Sequence, residues 1–120
     1  MIRSLVLTCL LLSCLQLGAA QPFHVYSPSS KNNTLWIVQA KPQKDGLELK
    51  VAKKVKFDFS GRVITTHPSK PLLYVTATGG DPGKVPGAVV HLNKDGSYRK
   101  HQNVDFNDGA CYLSLDKENR

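Results

Sequence analysis

Disulfide chemistry has little material in this chain of 120 residues, which holds three cysteines, two of them (Cys9 and Cys14) within the first twenty positions. A lone Cys111 cannot close an intramolecular bridge, so whatever folds after residue 20 rests on packing. The same shortage excludes a cysteine-rich zinc site. Between Ala110 and Tyr112-Leu113, in an apolar run, Cys111 reads as a small hydrophobe rather than a nucleophile. Helical periodicity is missing as well, because no stretch after Gln21 repeats apolar residues at helical spacing for three turns. Also absent are a Gly-x-Ser-x-Gly elbow, a His-Glu-x-x-His pair and a twelve-residue calcium loop. At 41% hydrophobic and 21% charged, with 9 Gly and 7 Pro, the chain has the make-up of an ordinary globular domain, neither disordered nor collagen-like.

The one long apolar run is N-terminal. Residues 1–20 carry a single charge at Arg3, then Leu5 to Leu17 broken only by Thr8, Cys9, Ser13, Cys14 and Gln16, then Gly18-Ala19-Ala20 before Gln21-Pro22. This order of basic start, apolar middle and small residues predicts a cleaved secretory signal over 1–20, and a secreted or periplasmic product. A span takes roughly 20 predominantly apolar residues, so no stable membrane span is expected after cleavage. The alternatives are an uncleaved anchor and lipid attachment at Cys14, where the leucine before Ser13 makes a poor lipid-attachment sequence. The remainder, 21–120, is enough for one small domain and too short for a two-domain enzyme.

Removing Arg3 with the leader lowers the formal charge from +7 to +6, a balance that favours acidic partners in general. The densest basic cluster is Lys50, Lys53, Lys54 and Lys56, with Glu48 beside it and no interleaved aromatic except Phe57. A nucleic-acid reader needs a recognisable reading element as well as charge, so no nucleic-acid partner is expected and the lysines read as a solvated strand surface.

Short β-branched or aromatic runs between turn residues predict an all-β fold with almost no helix. The expected strands are Phe23-Tyr26, Leu35-Ala40, Leu47-Val51, Val55-Phe59, Val63-Thr66, Leu72-Ala77, Ala88-Leu92, Ser97-Gln102 and Ala110-Leu115. Lys44-Asp45-Gly46 and Lys94-Asp95-Gly96 are hairpin signals, read here with Asp and Gly at the two central positions. Pro68 and Pro71 bracket a bend, and Gly79-Gly80-Asp81-Pro82-Gly83 is a surface excursion.

The two Lys-Asp-Gly turns lie 50 residues apart, Gly61 and Gly109 lie 48 apart, and His67-Pro68-Ser69-Lys70 and Asp116-Lys117-Glu118-Asn119 lie 49 apart. His24-Val25-Tyr26 stands before the first turn much as Leu73-Tyr74-Val75 stands before the second. A repeat of about 49 residues holding four short antiparallel strands is the format of a β-propeller blade. Propellers close with about four to eight blades, so the expectation is two four-stranded blades belonging to the N-terminal part of a longer protein. A complete small β-sandwich is the alternative.

Three segments taken in order resemble the lactonase-type seven-bladed propeller family, which includes the propeller-type 6-phosphogluconolactonases. They are the joint His67-Pro68-Ser69-Lys70-Pro71-Leu72-Leu73-Tyr74-Val75, the centre Gly87-Ala88-Val89-Val90-His91-Leu92-Asn93-Lys94-Asp95-Gly96-Ser97, and the end Gly109-Ala110-Cys111-Tyr112-Leu113-Ser114-Leu115-Asp116. The likeness covers about 60 residues well and Gln21 to Thr66 loosely, and Asn119 stands where the family often has glycine. By this resemblance 21–120 is a partial propeller, and the intact protein hydrolyses a sugar lactone, its small-molecule partner. The fragment itself is expected to be inactive, because the family's site lies around a channel built from several blades. The rival expectation is a non-catalytic exported propeller that binds a protein or carbohydrate.

No catalytic residue carries over, and no cofactor or metal is expected. Lactone hydrolysis needs an activated water or nucleophile and donors for the developing oxyanion. His24, His67, His91 and His101 are the possible bases. His91, in a strand with Val90 and Leu92 pointing the other way, reads as solvent-facing, and His67 and Asp116 read as turn stabilisers. Asp105 and Asp108 read as turn formers rather than a metal pair. Gly79 to Lys84 lacks the ending of a phosphate loop, and Trp36 reads as core rather than a sugar platform. Asn32-Asn33-Thr34 fits the glycosylation rule and has meaning only in a host with that machinery.

Overall fold

The computed structural model describes residues 20–107, and those residues form seven β-strands and no helix. The first sheet, A, holds β1 (Phe23–Ser29), β2 (Thr34–Gln43) and β3 (Gly46–Lys56) in the order β1-β2-β3. The second, B, holds β4 (Val63–Thr66), β5 (Leu72–Thr76), β6 (Val85–Leu92) and β7 (Tyr98–Phe106) in the order β4-β5-β6-β7. Every pairing is antiparallel between neighbours in sequence, the low-cost connection for strands joined by short turns. The expected strand Ala110–Leu115, the Gly109 repeat, Asp108, Cys111 and Asp116 lie outside the described residues, as does nearly all of the expected leader.

Two expectations need correction. Leu47–Val51 and Val55–Phe59 are not separate strands: β3 runs unbroken from Gly46 to Lys56. Ile37 pairs with Lys53 and Val38 with Val51, which leaves Ala52 as an unpaired bulge residue. A bulge bends a strand without ending it. Sheet A therefore has three strands among the described residues, and β4 of sheet B has no counterpart there. Beyond β3, Phe57 and Phe59 leave the ladder, and the Phe-Asp-Phe alternation buries both rings, stacked with centroids 4.9 Å apart, while Asp58 stays exposed.

The turn reading is corrected too. Gly96 N–H donates to the Asn93 carbonyl at 3.0 Å, so Lys94-Asp95 are the central residues and glycine follows them. In sheet A, Gln43 pairs with Gly46 around Lys44-Asp45 in the same way. Positive φ falls on Gly46 (151°) and Gly96 (88°), not on either aspartate. Placing it on the residue without a Cβ avoids the steric penalty the aspartates would carry.

With the two turns superposed residue for residue, the repeat is 50 throughout β1, β2, β5 and β6. Phe23 pairs with Ala40 and Val25 with Val38; the residues 50 further on, Leu73 with Val90 and Val75 with Ala88, pair identically. The equivalent of Phe23 is thus Leu73, one residue away from the match of His24 to Leu73 expected from sequence. In a strand one residue decides the face.

The sheets pack through a single core. Leu35, Ile37 and Val55 of sheet A, with Phe57 and Phe59, meet Leu73, Val75, Ala88 and Val90 of sheet B. Leu35, Ile37, Leu73, Val75, Ala88 and Val90 are completely buried. At roughly 25 cal/mol per Å² of apolar surface, each fully buried Leu, Ile or Val side chain contributes about 1.5–3 kcal/mol. The contact is head-to-tail: sheet A offers the face of Leu35 and Ile37, whereas sheet B offers the face equivalent to the opposite side of sheet A.

Candidate functional site

The four histidines are dispersed by the strands that carry them. His24 and Tyr26, alternate residues on one side of β1, reach the second Asp-Gly turn. The His24 Nδ1–H donates to the Asp95 carbonyl at 2.9 Å, and the Tyr26 hydroxyl donates to the Gly96 carbonyl at 2.7 Å. Burial raises the Tyr26 phenol above its ordinary pKa, and the Asp95 charge adds to that. Asp95 moves the other way: its carboxylate accepts from the Ser97 hydroxyl at 2.7 Å and the Ser97 amide at 2.9 Å, which favour the ionised form. This cluster is a clamp holding sheet A on the end of sheet B.

His67 is buried, and its Nδ1 accepts the Ser69 and Lys70 amides at 3.1 and 3.0 Å. Its lone pair caps the bend between β4 and β5, so it acts as a turn stabiliser and is not free to take a proton from substrate at that nitrogen. His91 sits half-buried on the side of β6 opposite Val90 and Leu92, as alternation requires.

His101 lies in the seam between the sheets. Phe57 meets it edge-on at 5.3 Å, and the Tyr98 hydroxyl is 3.0 Å from its Nδ1. Lys53 of β3 crosses the seam to the face of Tyr98, 5.6 Å from the ring centre. Further along, the Asn103 side-chain amide donates to the Asp58 carboxylate at 3.4 Å. Beside that pair a cleft of about 210 Å³ is lined by Asp58, Phe59, Pro86, Gly87, Asn103 and Asp105 among others. It is smaller than the roughly 300–1,000 Å³ of ordinary ligand pockets, so it suits water or a small polar group rather than a sugar ring. The seam offers a base, a phenol and a cation, but no serine, cysteine or threonine nucleophile among these contacts. Asp105 reaches the cleft as an exposed strand residue of β7, not as a turn residue.

Two amides of the glycine-rich excursion are already engaged. Lys84 N–H donates to the Asp81 carbonyl at 2.9 Å, and Gly83 N–H, at φ 76°, donates to the Asn107 carbonyl at 2.8 Å. Trp36 is corrected from core to surface: it lies half-buried on the far side of β2 from Leu35 and Ile37. The Lys54 ammonium stands 4.3 Å from its ring centre, so that face already carries a cation. The lysine cluster is divided by the bulge at Ala52. Lys50 and Lys53 fall on the side of Ile37, and Lys54 and Lys56 on the side of Trp36. The four do not make one stripe, and they place charge on an edge strand, where it opposes pairing with another chain.

What sequence reasoning missed is an apolar sheet face. Phe23 and Val25 of β1 and Leu47, Leu49 and Val51 of β3 are between 45% and 64% exposed, with Val38 and Ala40 between them. Its signal was present in the alternation of Leu47, Leu49 and Val51 with Glu48 and Lys50. Between β1 and β3, Val38 is half-buried and Ala40 fully covered. Among the described residues no group of three His, Cys, Asp or Glu is placed to hold a metal, and no helix is long and apolar enough to cross a membrane.

No family model matches this chain, and no curated protein or solved structure matches it either.

Proposed function

We propose that the protein is an exported member of a lactonase-like propeller group, its two sheets being consecutive blades, and that in its intact form it hydrolyses a sugar lactone. The observation that carries the blade reading is the head-to-tail stacking of two sheets with the same register and the same Lys-Asp-Gly turn 50 residues apart. A finished sandwich alternates apolar-in and polar-out on both sheets, whereas the outer side of sheet A, beside Lys54 and Lys56, exposes Phe23, Val25, Leu47, Leu49 and Val51, as an interior blade would. The lactone chemistry rests on the resemblance of residues 67–75, 87–97 and 109–116. The described residues are framework to it rather than its catalytic groups. Export rests on the pattern of residues 1–20.

Proton release from δ-gluconolactone and from its 6-phosphate, followed at pH 7 against the spontaneous rate, tests the activity on the full-length gene product. Hydrolysis above the blank for either lactone supports the reading, and equality with the blank for both removes the enzyme. The exposed apolar face favours a second reading, an exported binding protein whose contact surface is sheet A.

A further inference from the structure

The two sheets match strand for strand except at one edge. Through the 50-residue register β1 and β2 correspond to β5 and β6, and β3 holds the place of β7, whereas β4 has no counterpart among the described residues. The missing strand belongs beside Phe23, His24, Val25 and Tyr26. Their counterparts Leu73, Tyr74, Val75 and Thr76 pair with Thr66, Thr65, Ile64 and Val63 of β4. Counting back 50 from β4 falls on residues 13–16, inside the apolar run whose pattern reads as a cleaved leader. The empty place adds to the exposure of β1. Val75 is completely buried beside Ile64, which packs against the core, while Val25 is 45% exposed.

That edge is ordered for pairing. On β5 the carbonyls turned towards β4 are those of Leu72, which accepts the His67 amide at 2.9 Å, and Thr76, which accepts the Arg62 amide at 3.0 Å. Backbone groups alternate along a strand, so Tyr74 faces the same way, and on β1 the amides and carbonyls of His24 and Tyr26 face the open edge. The side chains of these two residues already hold β1 in place through the Asp95 and Gly96 carbonyls, which lowers the ordering cost of taking a partner. The other margin of sheet A, β3, carries Lys50, Lys53, Lys54 and Lys56 and a bulge, devices that oppose pairing; β1 has no Lys, Arg, Asp or Glu. We infer that the open edge of β1 takes an extended segment of another polypeptide, paired antiparallel as β4 pairs with β5. The segment that fits has the pattern of β4, Val63-Ile64-Thr65-Thr66: β-branched throughout and uncharged, with main-chain bonds to His24 and Tyr26 and an apolar side chain against Val25. This inference does not depend on lactone hydrolysis.

Fluorescence anisotropy of a labelled synthetic peptide of residues 61–68, titrated with the purified full chain, tests it. The expected result is saturable binding below about 100 µM. The His67 amide points towards β5, so by alternation the Thr65 amide does too and the Ile64 amide points away. N-methylation of the peptide at Thr65 is therefore expected to abolish binding, and N-methylation at Ile64 to leave it. Val25→Asp, at an exposed position, is expected to weaken binding by about tenfold or more. Phe23→Asp replaces it if circular dichroism shows that variant unfolded. Absence of binding at about 100 µM overturns the inference, the edge then being closed to an outside strand. So does an equal effect of the two N-methyl groups, or a Val25→Asp chain that binds as well as wild type, since the peptide would then lie elsewhere. Mass spectrometry of the N-terminus in the same sample tests leader cleavage separately. A retained leader removes that part of the export reading and leaves peptide binding to decide this one.

Discussion

Sheets A and B share a strand register, a turn and a 50-residue repeat, yet they place apolar residues under opposite conditions. In sheet B the positions of Leu73, Val75, Ala88 and Val90 are sealed by a neighbour, while of their sheet A equivalents Phe23 and Val25 are each 45% exposed, Val38 is half-buried and only Ala40 is fully covered. Equivalent backbone therefore does not mean equivalent energy. Burial on the other side of the sheet decides what a side chain contributes. The difference also explains why the two turns are not interchangeable. The second turn receives His24 and Tyr26 of sheet A, and its Asp95 is tied to Ser97, where the first turn has Leu47.

The largest expected effect comes from truncating matched positions. Leu73→Ala is expected to cost about 2–5 kcal/mol through lost burial and a cavity, whereas Phe23→Ala, its equivalent, is expected to change stability by about 0.5 kcal/mol. Urea unfolding below the concentration of any self-association checks both, and equal losses would break the comparison. Next is Gly87→Ala. Its Cβ would come within 2.7 Å of the Val75 carbonyl oxygen as well as striking the Phe106 ring, so a loss of about 1–3 kcal/mol is expected. The equivalent position in sheet A is Ile37, which its neighbours accommodate fully buried. A Gly87→Ala protein with an unchanged thermal midpoint would mean that β6 and Phe106 shift freely.

A smaller effect separates the turns. Gly46→Ala meets nothing within 4 Å, so only its φ of 151° opposes it; Gly96→Ala carries φ strain and brings a Cβ to 2.8 Å from the Tyr26 hydroxyl. The second is expected to cost more than the first, of order 1–2 kcal/mol, and parallel thermal melts rank them. The smallest belongs to the clamp. Tyr26→Phe is expected to lose about 0.5–1.5 kcal/mol, the net worth of one hydrogen bond. Because the folded phenol titrates above its ordinary value of 10.0, its contribution is full below that pH and drains as pH rises through the folded value. Stability of wild type relative to Tyr26→Phe, measured from pH 9 to 12, should shrink. Asp95 runs oppositely: held below its ordinary value of 3.8, it contributes above that pH and loses the contribution as pH falls through the folded value.

Much of this was legible in the residues. Strand alternation and the Lys-Asp-Gly turns announced an all-β meander, since period-two patterning and turn chemistry are local. His67 as a turn stabiliser followed from its place in the joint segment by which the chain resembles the lactonase-type family. Less visible were the bulge at Ala52, which joins two expected strands into one, and the position of Trp36, whose apolar neighbours suggested core. Both depend on which partner strand lies alongside. The candidate site was least legible of all, because the histidines, Asp58 and Asn103 acquire their neighbours only when the sheets close on each other.

The sequence by itself determined the class of fold, the spacing of its repeat to within a residue, and the turns that punctuate it. Only the tertiary structure decided whether that repeat was 49 or 50. In a β-strand that single residue moves every side chain to the other face, and so separates the buried side of sheet B from the side of sheet A that exposes Phe23 and Val25.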